Sequence, residues 1–98
     1  MALKNIMSEK VKGAFVVTND KGLHTRPSTE LAKCAGRFKS VITLRHREFS
    51  ADAKSVLSIL MLAAGPGAPI TIEAEGPDAE EAVSALLQLA KNKFLVNY

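Results

Sequence analysis

The sequence has no tryptophan, one tyrosine and four phenylalanines, so aromatic side chains supply only 5% of its 98 residues. A packed interior must therefore be built mainly from Val, Leu, Ile, Ala and Met. Cys34 is the single cysteine. It excludes an internal disulfide and leaves no Cys/His set for a structural metal. No metal and no cofactor are expected, and the lack of an oxidative framework points to a reducing cytosol. Long apolar runs are also missing. The longest, VLSILMLAA at 56–64, is far too short to cross a bilayer. The opening residues MALKNIMSEKVKG mix apolar and charged side chains with no signal-peptide core. A soluble cytoplasmic protein with no membrane insertion is expected. The formal net charge of +3 is spread along the chain with no dense basic run. With so few aromatics and no basic-aromatic strand motif, nucleic-acid binding is disfavoured.

What is present suits one small domain. Hydrophobic residues make up 47% of the chain, enough to exclude global disorder. Residues 1–10 read as a polar N-terminal extension and residues 11–98 as the domain. GAFVVTN (13–19) is short and β-branched and ends in a turn signal. From Thr25 to about Phe38, Pro27, Leu31, Cys34, Ala35 and Phe38 recur at spacings of three and four, a helical stripe stopped near Gly36. SVITLRH (40–46) and REFSAD (47–52) predict a hairpin, with His46 a surface strand residue. SVLSILMLAAG (55–65) predicts a short helix with Ser55 near its start, and Gly65-Pro66-Gly67 a turn. APITIEAEG (68–76) is a fourth strand. Asp78 with Glu81 three residues on predicts a capping box for a last helix carrying Ala79, Ala82, Val83, Leu86, Leu87, Ala90 and Phe94. The order β-α-β-β-α-β-α predicts an α+β fold: an antiparallel sheet with helices on one face.

One stretch carries chemistry. GLHTRPS (22–28) places His24 where strand and turn signals give way to a helix. Pro27 suits a first helical turn because its missing N–H has no intrahelical partner there. Gly22 allows the chain to turn tightly. The first amides of a helix and its positive dipole end favour anions. Arg26 adds a planar guanidinium matched to phosphate oxygens. The same positive field favours a neutral, nucleophilic ring over the imidazolium. An imidazole so placed suits a group that attacks phosphorus and hands the oxygens to the amides and Arg26. The alternative is a histidine that merely caps or decorates a turn.

GLHTRPS resembles the active-site motif of the HPr family, the histidine-containing phosphocarriers of the sugar phosphotransferase system, whose common pattern is Gly-Leu-His-Ala-Arg-Pro-Ala. AKSVLSILMLAAG (53–65) is similar to the family block of Lys-Ser followed by an apolar helix, and GPDAEEA (76–82) to a third block. The resemblance covers roughly residues 10–95. It implies an open-faced β-sandwich, with a four-stranded antiparallel sheet of order 1-4-2-3 covered on one face by three helices. It implies that His24 is phosphorylated on Nδ1 by Enzyme I, itself charged from phosphoenolpyruvate. The phosphoryl group then passes to the A domain of a sugar-specific enzyme II. Arg26 matches the arginine that stabilises that group. Ser55 matches the serine phosphorylated by HPr kinase/phosphorylase. Val56, Leu57, Leu60 and Thr29 fall in the partner-docking region, with Ile59 and Leu62 inward. A monomer that is a carrier rather than an enzyme is expected.

Three positions depart from the family pattern. Thr25 and Ser28 stand where alanine is common, and Thr25 is read as a helix cap. Asp52 stands where asparagine is frequent, and its charge would oppose a second one at Ser55. Apart from the resemblance, Ser55 is a favoured helix cap, and a phosphate there would gain from the dipole. Apolar residues surround that short helix, so an exposed patch is expected. Cys34 is expected to pack beneath the first helix as a small apolar group. Readings outside sugar uptake are a mainly regulatory phosphorelay, a small nucleic-acid-binding domain, or an enzyme using His24 as general base. The last needs carboxylate partners and a cleft that the surrounding sequence does not supply.

Overall fold

A computed structural model describes residues 10–96. The extension expected over residues 1–10 lies outside the described residues except for Lys10, which opens the first strand. Four strands and three helices follow: β1 (Lys10–Val16), α1 (Thr25–Ala35), β2 (Val41–His46), β3 (Phe49–Asp52), α2 (Val56–Met61), β4 (Pro69–Glu75) and α3 (Ala79–Lys91). A single turn over Lys93–Leu95 closes the fold. The strands form one antiparallel sheet of order β1-β4-β2-β3. The expected open-faced sandwich and its strand order are therefore present.

Alternation decides which face each strand buries. Ile42 and Leu44 of β2 and Ile70, Ile72 and Ala74 of β4 point toward the helices and are buried. They meet Leu31 and Ala35 of α1 and Ala82, Val83 and Leu86 of α3 in one core cluster. Each fully buried Leu or Ile contributes about 1.5–3 kcal/mol. The opposite face carries Glu73, whose Oε2 lies 3.2 Å from Arg45 Nε and 3.8 Å from Lys12 Nζ. Lys12 and Arg45 are solvated at the surface although Glu73 is half-buried, so each pair contributes on the order of 1 kcal/mol. The helix-covered face thus holds the fold, and its core cluster is mainly aliphatic.

Several expectations need correction. Strand β1 starts at Lys10 and ends at Val16, three residues before the span read from sequence. Its lysines suggested an extension, but alternate residues of β1 lie on the open face, where Lys10 and Lys12 are at home. Past Val16 the chain leaves the regular ladder. His46 is buried, not a surface residue. It shares the inward face with Ile42 and Leu44, and its Nδ1 lies 3.2 Å from the Pro69 carbonyl oxygen. Asp78 forms no capping box. Its carboxylate instead accepts from the Lys39 amide (2.8 Å), the Ser40 amide (2.9 Å) and the Ser40 hydroxyl (2.6 Å). Those bonds, the Ser40 hydroxyl first and the Lys39 amide next, lower its pKa from 3.8 to about 2. They bind the start of α3 to the segment entering β2.

The C-terminal turn is unusual. Lys93, Phe94 and Leu95 all have positive φ, between 54° and 61°. Non-glycine residues in this region are disfavoured, and burial of Phe94 offsets the cost. Phe94 meets Phe15 edge to face with ring centroids 5.5 Å apart. The Lys93 carbonyl accepts from Asn19 Nδ2 at 3.0 Å. The end of the chain is thereby fastened to the loop between β1 and α1.

Candidate functional site

The β1–α1 loop carries the histidine. It turns at Asn19–Gly22, where the Gly22 amide donates to the Asn19 carbonyl at 3.0 Å. Gly22 has φ +71°, and a side chain there would come within 2.5 Å of the Ala64 carbonyl oxygen. Glycine is required on both counts. The close approach allows the Leu23 amide to donate to that same carbonyl at 2.9 Å. Leu23 itself is buried in the core.

His24 is the N-cap residue of α1, with an extended backbone at φ −79° and ψ −168°. The cap position belongs to His24 and not to Thr25, which is the first helical residue. Within α1, the Thr25 and Arg26 amides precede the first carbonyl the helix could offer them, and Pro27 has no N–H. The histidine is half-buried, and its Nε2 is enclosed within the protein. Thr25 and Arg26, which follow it in the chain, are exposed.

Ser28 is fully buried. Its hydroxyl donates to the Leu23 carbonyl at 3.0 Å, and its amide donates to the His24 carbonyl at 3.0 Å. Thr29 is half-buried and its hydroxyl donates to the Thr25 carbonyl at 2.7 Å. Reading the motif as a phosphate site gave Ser28 no role. Its signal was a polar residue at a spacing that falls on the buried side of the helix, between Leu31 and the loop.

Helix α2 packs beside α1, and the loop leaving its C-terminal end supplies Ala64 to the histidine loop. Ser55 caps the opposite end, where its hydroxyl accepts from the Ser58 amide at 3.2 Å. Six helical residues, about 9 Å of helix, separate the two ends. Asp52 is exposed, and its Oδ1 accepts from the Lys54 amide at 2.9 Å. Along α2, Leu57 is 71% exposed and Met61 74% exposed. Val56 and Leu60, expected outward, are half-buried, while Ile59 and Leu62 are inward as expected. Residues four apart share a line on a helix, so Leu57 and Met61 form the outermost line and Val56 and Leu60 the next.

Cys34 is buried as expected, with Arg37 Nη2 donating to its sulfur at 3.4 Å. It lines a groove of about 670 Å³ between α1 and α3, together with Lys33, Arg37 and Leu89. His24 is not among the residues of that groove. The histidine is instead presented near the surface, where a partner protein's reactive group can meet it.

Comparison with known proteins shows the family. Residues 11–92 match the family model described as the phosphotransferase-system HPr component phosphorylation site. The phosphocarrier protein HPr of Cupriavidus necator is 44% identical over 78 residues, covering 80% of this chain and 88% of that protein. The phosphoryl donor subunit DhaM of a PEP-dependent dihydroxyacetone kinase from Providencia stuartii is 44% identical over 80 residues, covering 82% of this chain and 17% of that one. Among solved structures, HPr-C-His from Thermoanaerobacter tengcongensis aligns with a TM-score of 0.85 at 32% identity, covering 90% of this chain and 99% of that one.

Proposed function

Since the chain belongs to the HPr family of phosphotransferase-system phosphocarriers, we propose that it accepts a phosphoryl group on His24 Nδ1 from phosphorylated Enzyme I. It then delivers that group to the A domain of a sugar-specific enzyme II. The observation that carries this reading is His24 at the N-cap of α1 with Nε2 turned into the protein. In the first transfer the phosphorus–nitrogen bond to the donor breaks as the bond to Nδ1 forms, and in the second the bond to Nδ1 breaks as the bond to the acceptor forms. Between the two, the phosphoryl oxygens lie at the positive end of α1, beside the Thr25 and Arg26 amides, with the Arg26 guanidinium as a counter-charge. The chain binds, holds and passes on the group, and the chemistry of turnover belongs to its partners.

Leu57 and Met61, flanked by Val56 and Leu60, offer the apolar surface on which those partners dock, with Thr29 on the neighbouring helix. Ser55, at the far end of α2, is the site of regulation by HPr kinase/phosphorylase. A phosphate there gains from the α2 dipole and adds charge to the docking surface without unfolding the helix. The carboxylate of Asp52 nearby makes that modification less favourable. A second reading rests on the DhaM match: the phosphoryl group on His24 serves a kinase or regulatory relay and not sugar uptake.

The test is incubation with phosphoenolpyruvate, Mg²⁺ and the cognate Enzyme I, followed by intact mass, with His24→Ala in parallel. Gain of one acid-labile phosphoryl group, absent from His24→Ala, is expected. An unmodified wild-type protein beside a competent Enzyme I refutes the proposal. Transfer onward to an enzyme II A domain, or its absence, separates the first reading from the second.

A further inference from the structure

We propose that Met61 is an oxidant-sensing site, at which conversion of the thioether to the sulfoxide by hydrogen peroxide weakens the docking of phosphoryl-transfer partners; this rests on the reading of α2 as their docking surface. The described residues hold two sulfur atoms, those of Cys34 and Met61. A cysteine thiolate ordinarily oxidises first, but a buried cysteine is inert. Cys34 is 7% exposed on the inward side of α1, which denies an oxidant access. Met61 is 74% exposed, more than any other large hydrophobic side chain among the described residues. The fold thus turns the usual order of the two sulfurs around.

The reaction needs only the thioether and the peroxide. A sulfur lone pair attacks one peroxide oxygen, and the S–O bond forms as the O–O bond breaks. The departing hydroxide takes the proton from the new S–OH and leaves as water. Sulfur is oxidised to the sulfoxide and the peroxide is reduced. The location of Met61 gives the change its effect. Met61 shares a helix line with Leu57, and α2, VLSILM, carries no charged side chain. A methionine on such a line adapts its shape to a partner's apolar surface. Its sulfoxide presents a strong dipole, which must lose its water when a partner covers it. Ile59 and Leu62 already fill the inward side, so the sulfoxide stays on the docking face. The tie from this region to the histidine loop is made by the Ala64 carbonyl, so His24 keeps its setting. A methionine sulfoxide reductase, drawing electrons from thiols and releasing the oxygen as water, restores the thioether.

The full chain is treated with hydrogen peroxide, and peptide mass locates the added oxygen. Met61 is expected to take it up while Cys34 stays a thiol. Each protein is then compared with itself before and after oxidation, as the phosphoryl acceptor of Enzyme I. For wild type, KM should rise ~10-fold on oxidation with kcat unchanged, the loss expected from covering one unpaired polar group. Reductase treatment should return KM to its starting value. Met61→Leu keeps Met1 and Met7, so it reports what oxidation elsewhere does, and its KM should not respond to peroxide. Met61→Gln, which carries a polar group there permanently, should show a raised KM with no oxidant. Phosphoramidate needs no docking: it transfers its phosphoryl group to the ring as its P–N bond breaks and ammonia leaves. Its rate with wild type should be the same before and after oxidation. An unchanged KM with Met61 oxidised, an equal rise in Met61→Leu, or oxygen on Cys34 with Met61 untouched overturns the proposal. A phosphoramidate rate that falls with KM also overturns it, because the effect then lies at His24 and not at docking. Normal phosphorylation before peroxide with any of these results leaves the carrier reading intact. Unoxidised protein that Enzyme I leaves unmodified refutes the carrier reading, and this proposal falls with it.

Discussion

Replacing Gly22 with alanine tests how the histidine loop is held. Gly22 and Gly67 both have positive φ, +71° and +84°, so alanine at either meets the same backbone strain, about 1–2 kcal/mol. Their surroundings differ. A Cβ at Gly67 has no atom within 4 Å, whereas one at Gly22 would lie 2.5 Å from the Ala64 oxygen and 2.8 Å from the Gly65 Cα. Both obstacles are backbone. Ala63, next in that loop, is itself at φ +53°, so the loop has little room to move. Forcing a methyl group into such a gap costs a further ~1–3 kcal/mol. The reduced entropy of the unfolded chain is the same for both substitutions and cancels. Gly22→Ala should therefore lose roughly 2–5 kcal/mol and Gly67→Ala roughly 1–2 kcal/mol. With a urea slope of ~1.5 kcal/mol/M, the two midpoints should differ by roughly 0.7–2 M. Paired urea titrations at neutral pH measure this. Phosphorylation of His24 should slow in Gly22→Ala and stay normal in Gly67→Ala. Equal midpoints would refute the claim that the contact with Ala64 fixes the loop.

Two further predictions follow from polar contacts. Asp78 has its pKa lowered from 3.8 to about 2 in the folded chain, so the unfolded state binds its proton first as pH falls. The stabilisation is therefore complete above pH ~4 and lost between ~4 and ~2; Asp78→Ala should be less stable at pH 7 and show a shallower acid dependence in that window, checked by urea midpoints at each pH. Ser55→Ala should cost ~1 kcal/mol because it removes the cap on Ser58, while Ser55→Asp keeps a capping oxygen and should melt close to wild type. Ser55→Asp should nevertheless slow phosphorylation by Enzyme I, because its charge stands beside the proposed docking surface.

How much was legible in the sequence depends on how local each signal is. The α1 stripe, the Ser55 cap and the turn at Gly65–Gly67 are set by neighbours within a few residues, and each was readable. The motif around His24 was readable for the same reason. Asp78 misled because its local spacing fits a capping box, while its actual partners, Lys39 and Ser40, lie some 38 residues away. The position of His46 could have been read: Ile42, Leu44 and His46 share one face by simple alternation, and polarity was given more weight than register. The part of Ser28 could not have been read, because it depends on where the Leu23 carbonyl points. The outward line of α2 was displaced by one residue, since six residues cannot fix a helical phase without knowing what they pack against.

The bond between Asn19 and Lys93 spans 74 positions along the chain, and among the described residues β1 has no sheet neighbour except β4. During synthesis the first strand must wait until residues 69–75 leave the ribosome, and the Asn19 side of the loop bearing His24 gains its tie only when residue 93 has followed. Contacts of such long range make the topology slow to close. A chain truncated before Lys93 would thus keep the motif and its tie to Ala64 but lose the bond that holds Asn19 at the start of the loop.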